Sequence, residues 1–454
     1  MLKNLVTKQW PFWLGGFFVG LSEIIFYIQY NKFIGVTTGF AQLYAVSEKY
    51  LFHIDWVGRV YEPGIQWVIV GAVLGARLVA FAEQESRSWV KYHWKMLALS
   101  FLGGAFFSFG TRLAAGCTTH HFIGGLASMS IASWVVLLSG IPFAFLAFQI
   151  ATSLGMGGYF RHQEVYEVAK RYQKDPEHPQ AGYSPEYQPM YDPVRWFLIL
   201  FLAMFFLTPL YFALFTNEIE GGLQDIGWKT ILWLIFTGSV LGIGIAKCGF
   251  GTECAVMAPE SMLTKPDFYR SRGVPLSTYR LFRSLLPLQG FMAAIVVFNL
   301  FILVAWLSGY GTIPNAARKQ GLYWGHFMGG PFLAMGAVFM IGCEVRTYAR
   351  LGLGYGTALA ALPGFYVGYL PYTLFQHQID AVAFGTGLTR FLTVPQWISA
   401  TLGGTEVFWS VVYSFVLIGI LVFSFEGGRR FLKITPKQLL CSNTDDLLYS
   451  TPKT

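Results

Sequence analysis

Apolar runs of membrane-crossing length recur along almost the whole chain. Ten of them lie near residues 12–30, 64–82, 96–112, 131–152, 194–215, 229–247, 284–307, 328–342, 354–370 and 404–424. About 20 mostly apolar residues cover the hydrocarbon core of a bilayer as a helix. Lipid offers no hydrogen bonds, so each run must satisfy its own backbone, which a helix does. The predicted fold class is an all-α polytopic membrane protein, with about ten transmembrane helices plus short re-entrant half-helices. Composition agrees: 12% of the 454 residues are charged, against roughly 25% in a soluble domain. The first run starts near Pro11 with no small-residue cleavage pattern after it. It reads as a retained span, not a leader peptide. The net charge of +8 does not argue for nucleic acid, because the basic residues fall between the spans.

Three Gly-rich apolar stretches, at 33–46, 113–128 and 248–262, are too short or too interrupted to span. They read as half-helices or re-entrant segments. A broken helix frees backbone groups, and it survives in a membrane only where protein buries it or a polar cavity meets it. Four of the five cysteines sit at such breaks. Cys117 lies in Gly-Thr-Arg-Leu-Ala-Ala-Gly-Cys-Thr-Thr-His-His (110–121), Cys248 and Cys254 in Lys-Cys-Gly-Phe-Gly-Thr-Glu-Cys (247–254), and Cys343 in Ile-Gly-Cys-Glu-Val-Arg (341–346). The fifth, Cys441, lies in a polar tail and reads as a bystander. An odd count gives no disulfide framework.

Charge placement suggests an orientation. With the N-terminus inside, the inner loops near 83–95, 153–193, 263–283 and 343–353 and the tail from Glu426 carry a roughly threefold excess of Lys and Arg over the outer loops. Both termini are then cytoplasmic, in a bacterial inner membrane. The organisation follows: spans one to four of a first repeat in 1–152, a cytoplasmic linker at 153–193, a fifth span in 194–228, a second repeat in 229–425 and a cytoplasmic tail at 426–454. The halves resemble each other weakly. Segment 103–128 parallels 336–360, and Gly-Gly-Phe-Phe-Val-Gly-Leu (15–21) parallels Gly-Ser-Val-Leu-Gly-Ile-Gly (238–244). Five spans per half invert the second copy, an architecture in which transporters place substrate at the repeat interface.

Thiols at helix breaks suggest a path that recognises something sulfur-like. Half-helix N-termini supply free N–H groups and a positive dipole end. Thiols add weak, polarizable S–H donors that do not trap the ligand. The expected path holds Cys117, Cys343 and one of Cys254 and Cys248, with Gly116, Thr118, Gly342 and His121 at the breaks. The bland alternative is that each cysteine is a small buried hydrophobe. Arg112 and Lys247, at span ends, either snorkel to headgroups or attract anions at the two mouths. Glu253 and Glu344 stand beside thiols, either in an ion pair such as Glu344 with Arg346 or Arg350, or as protonatable gates. Glu23 and Arg77 lie within spans and could pair with each other. The adjacent His120 and His121 lack the spaced ligands of a zinc site, so no metal is expected.

At these motifs the chain resembles the YeeE/YedE family of sulfur-compound transporters. That family carries a Gly-Ala-Arg-Leu-Ala-Gly-Gly-Cys-Thr-Ser-Gly-His type sequence, matched at 110–121, and a Gly-Cys-Pro-x-Arg turn before an Arg-x-Gly-x-Gly helix, matched at 342–346 and 349–354. A half-helix near a third cysteine is matched by Cys248 or Cys254. The likeness covers roughly 12–150 and 195–425 of the chain, with His120 in place of Gly and Glu344 in place of Pro. The resemblance implies uptake of thiosulfate or a related sulfur or selenium species, passed along cysteines by S–H contacts without a cofactor. It also implies a possible small cytosolic sulfur-carrier protein as partner. The competing readings are transport of sulfite, sulfide or selenite, and a membrane thiol sulfurtransferase or oxidoreductase, which would need a resolving thiol. No nucleotide-binding loop is present, and the chain is expected not to be an enzyme.

Overall fold

Each apolar run lies on a helix. The computed structural model describes residues 6, 10–82, 94–151, 193–248, 276–310, 321–340, 342–432 and 435–441. The helices are α1 Phe12–Tyr30, α2 Thr37–Ser47, α3 Trp67–Ala82, α4 Trp94–Leu113, α5 Ile131–Ala151, α6 Pro193–Phe215, α7 Leu223–Cys248 and α8 Leu276–Leu307. They continue with α9 Trp324–Met340, α10 Glu344–Leu353, α11 Gly356–Leu374, α12 Gln376–Phe384, α13 Val394–Leu402 and α14 Glu406–Leu432. A π-helical segment, Thr119–Gly125, lies between α4 and α5. No strand occurs among the described residues. Seven described helices are long and apolar enough to cross a membrane, or eight if the pair α11–α12, bent by 83°, is one span. The chain is thus a multi-pass, all-helical membrane protein.

Small residues set the packing. Lipid tails are as apolar as leucine, so close backbone approach takes the place of hydrophobic burial. α4 runs antiparallel to α9: Gly103 faces Gly336 and Met340, Gly110 faces Leu333, and Gly329 faces Ala114. A Cβ on Gly336 would stand 2.7 Å from the Gly103 carbonyl oxygen, closer than packed carbon and oxygen tolerate. α1 crosses α7 in the same antiparallel sense, with Gly15 against Gly244. α3 packs on α7, α8 on α1, α11 on α4, and α5 on α9.

The stretches at 33–46 and 113–128 do form short buried helices, α2 and the Thr119–Gly125 segment. Residues 343–353, expected as an inner loop, are instead α10, in which every residue is buried. Its charges find partners within the protein: Arg350 donates to the Met340 carbonyl at 3.0 Å and to Thr357 Oγ1 at 2.7 Å. Arg346 and Arg350 therefore do not count toward a basic inner loop. Glu23 and Arg77 do not pair either. Glu23 Oε2 accepts from the Ile34 N–H at 3.0 Å, and Arg77 lies over the Phe81 ring at 4.7 Å. Cys254, Glu253 and residues 153–192 of the linker lie outside the described residues.

Candidate functional site

α4 ends in a tight reversal. The Gly116 N–H bonds back to the Thr111 carbonyl at 3.0 Å and the Ala115 N–H to the Arg112 carbonyl at 3.2 Å. This paired closure requires a left-handed residue, and Ala115 takes it at φ 56°. An L side chain there costs about 1–2 kcal/mol. Ala115→Gly should therefore stabilise the fold by about 1 kcal/mol, seen as a higher melting temperature in detergent. The reversal places Cys117 at the start of the next helical segment, in the core and 1% exposed.

Cys117 receives two helix N-termini. Its sulfur faces the backbone N–H groups of His120 and Val36 and the hydroxyl of Thr37. His120 belongs to the first turn after Cys117, and Val36 is the N-cap of α2. A third N-terminus joins them. Cys343 is the N-cap of α10, and Glu344, the first residue of α10, accepts from Thr37 Oγ1 at 2.6 Å. The starts of α2, of α10 and of the Thr119–Gly125 segment are thus linked through Thr37 and Cys117.

Beside Cys117 is a cavity of about 290 Å³. It is walled by Gly35, Thr37, Thr38, Thr111, Arg112, Ala115, Gly116, Cys117, His120, Tyr372 and Phe384. Arg112 donates to the Tyr61 hydroxyl at 2.7 Å and lies over the Tyr61 and Tyr369 rings at 5.4 and 5.5 Å. Among the described residues no carboxylate lies within ion-pairing distance of it. A guanidinium held by neutral rings keeps its charge for a ligand. Thr118 Oγ1, next to Cys117 in the chain, and Tyr348 Oη and Glu344 Oε1 on α10 are buried without a hydrogen-bond partner among the described residues.

The thiol, the cation and the start of α2 all come from the N-terminal third of the chain. Residues 1–142 match the sulphur-transport family model. The sulphur-transport match agrees with the YeeE/YedE resemblance and runs from α1 into α5, including Arg112, Gly116 and Cys117. No curated protein matches the chain. The sulphur-transport match and the long apolar helices fit a membrane sulfur transporter.

The structure gathers some predicted site residues and separates others. Arg112, Gly116 and Cys117 share the cavity wall; Thr118 follows Cys117, and Gly342 and Cys343 precede Glu344, whose carboxyl meets Thr37 on that wall. His121 does not line the cavity. Its Nε2 bonds the Ala114 carbonyl at 2.8 Å and its Nδ1 meets Ser133 Oγ at 3.1 Å, so it braces the reversal from behind. Lys247 is tied to the N-terminal segment: it donates to the Val6 carbonyl, and its own carbonyl accepts from the Trp10 N–H at 2.7 Å. Cys248 Sγ donates to the Gly244 carbonyl at 3.0 Å and fills the α1–α7 contact beside Gly15. No group of three or more His, Cys, Asp or Glu suited to a metal occurs among the described residues. Sequence reasoning missed Thr37, Tyr61 and Tyr369. Only the break at 33–46 gave a signal for Thr37.

Proposed function

We propose that this protein takes up thiosulfate, or a related sulfur oxoanion, through the Cys117 cavity and onward past Cys343. One observation carries the reading: Arg112, with no carboxylate partner among the described residues, shares a cavity wall with a thiol that faces two helix N-termini. The cation and N–H groups offset part of the dianion's desolvation. The thiol adds a contact weak enough to release it.

The packing supports two inverted repeats. Antiparallel α4–α9 and α1–α7 contacts are what a two-fold axis in the membrane plane requires of helices that pair with their own equivalents. The same exchange turns α1–α8 into α7–α3, and α4–α11 into α9–α5; all four contacts are present. The thiol breaks match as well. Gly342 bonds back to the Ala337 carbonyl at 3.0 Å, as Gly116 does to Thr111. Both thiol-led segments then end on a left-handed residue, Met129 at φ 66° and Gly354 at φ 86°. Ten spans, with both termini on the cytoplasmic face of an inner membrane, fit the Trp13 Nε1 bond to the Leu440 carbonyl, 3.2 Å long. That contact places the start of α1 and the tail at one end of the bundle. A small cytosolic sulfur carrier would receive the anion there.

The test is uptake of radiolabelled thiosulfate by proteoliposomes of the purified full-length chain. Cys117→Ala should lower uptake at least about tenfold, the worth of one lost hydrogen bond, with the protein still folded. Persulfide on Cys117 without uptake would make the chain a thiol enzyme instead. Stronger competition by sulfite or selenite than by thiosulfate itself would reassign the substrate.

A further inference from the structure

A carboxyl stands where an anion path should be most positive. Glu344 is 1% exposed and heads α10 beside Cys343. Its Oε2 accepts a hydrogen bond from Thr37 Oγ1 at 2.6 Å, and its Oε1 has no hydrogen-bond partner among the described residues. Thr37 is itself part of the cavity wall and faces the Cys117 sulfur. The Thr37–Glu344 bond therefore lies between the cavity and the Cys343 turn, across the route an anion would follow.

We propose that Glu344 is a proton-binding gate, so that the anion crosses together with a proton. This rests on the transport reading above. With Glu344 ionised, its charge opposes that of Arg112, and the Thr37 hydroxyl is engaged by the carboxylate. An incoming dianion then meets no net positive charge and a blocked donor. With Glu344 protonated, Arg112 stands uncompensated and the Thr37 hydroxyl is free to turn toward the anion. The carboxyl O–H becomes one more donor. Anion binding and proton binding thus favour each other, and the coupling is reciprocal.

The groups within electrostatic reach of Glu344 do not supply another proton switch of this kind. They are Tyr44 on α2, Arg112 on α4, Cys117 at the break, Tyr348 on α10 and Tyr369 on α11. The tyrosines and the arginine keep their protons at neutral pH. Cys117 can only lose a proton as pH rises, which would repel the anion. Arg350 is held by the Met340 carbonyl and Thr357. A carboxyl is not needed merely to accept from Thr37, since an amide would accept as well.

The test uses the purified full-length protein and thiosulfate, which stays a dianion across the neutral range and adds no titration of its own. In weakly buffered detergent solution, thiosulfate binding should draw about one proton per anion, and affinity should rise up to about tenfold per unit fall in pH. In proteoliposomes, an inwardly directed proton gradient should accelerate uptake. E344Q should bind thiosulfate with no proton uptake and carry it without response to the gradient. Thiosulfate binding with no proton uptake overturns the gate while the transport reading stands. So does E344Q that keeps the wild-type pH response. A wild-type protein that neither binds nor carries thiosulfate removes the transport reading, and the gate falls with it.

Discussion

Arg112→Ala should abolish thiosulfate uptake, lowering it by more than about 100-fold, while the protein still purifies as a folded membrane protein. The size follows from what the guanidinium does. It is the cation on the wall of the Cys117 cavity, and removing one partner of a buried charge contact costs about 3–5 kcal/mol. Each 1.4 kcal/mol is tenfold in binding. Folding should survive, because Arg112 is held by the Tyr61 hydroxyl and by stacking on two rings rather than by an ion pair. Arg112→Lys is the informative companion. It keeps the charge but loses the planar stacking and the directed bond, so uptake should fall to an intermediate level. Equal loss in both variants would mean that geometry matters and charge does not. Normal uptake by Arg112→Ala would remove the cavity from the path. The measurements are labelled uptake and the melting temperature of each variant in the same detergent.

The bundle was largely legible in the sequence because its physics is local. Run length against bilayer thickness placed the helices, and Gly-rich interruptions placed α2 and the Thr119–Gly125 segment. The thiol at Cys117 stood out for the same reason: a break, a cation five residues before it and a cysteine lie within one short motif. What the sequence hid is non-local. Thr37 lies 307 positions from Glu344, and nothing in Gly-Val-Thr-Thr marks its hydroxyl as the carboxyl's donor. Tyr61 and Tyr369 come from a loop and a distant helix, and only the fold brings their rings to Arg112. α10 was misread as a loop because four of its residues are strongly polar, Glu344, Arg346, Thr347 and Arg350. A polar run between spans normally faces water, and this one turns its charges into the protein instead. Lys247 and Cys248 looked alike to Arg112 and Cys117 by position at a span end. Their contacts with Val6, Trp10 and Gly15 set them apart.

Gly336→Leu should disrupt the fold and the site together. Its Cβ would press on the Gly103 carbonyl oxygen at 2.7 Å and on the Phe107 backbone nitrogen. Both obstacles are backbone in α4, so no side chain can rotate away. Relief requires the helices to separate, and overpacking of this kind costs about 1–3 kcal/mol or more. Separation would also break the antiparallel contact that brings the Arg112–Cys117 break and the Cys343 turn to one place, since both follow directly from α4 and α9. Loss of stability and loss of uptake should therefore arrive together. The control is Gly419→Leu on α14, where a Cβ meets nothing within 4 Å. Leucine there has the better helix propensity by somewhat under 1 kcal/mol, so its melting temperature should match or exceed the wild type. Gly103→Ala with Gly336→Ala adds a sharper check. The two sites share one contact, so their effects should not sum: once either methyl has forced the helices apart, the second adds little. Strict additivity would mean that α4 and α9 do not meet at these residues, and the α4–α9 contact that positions the Arg112–Cys117 break would lose its basis.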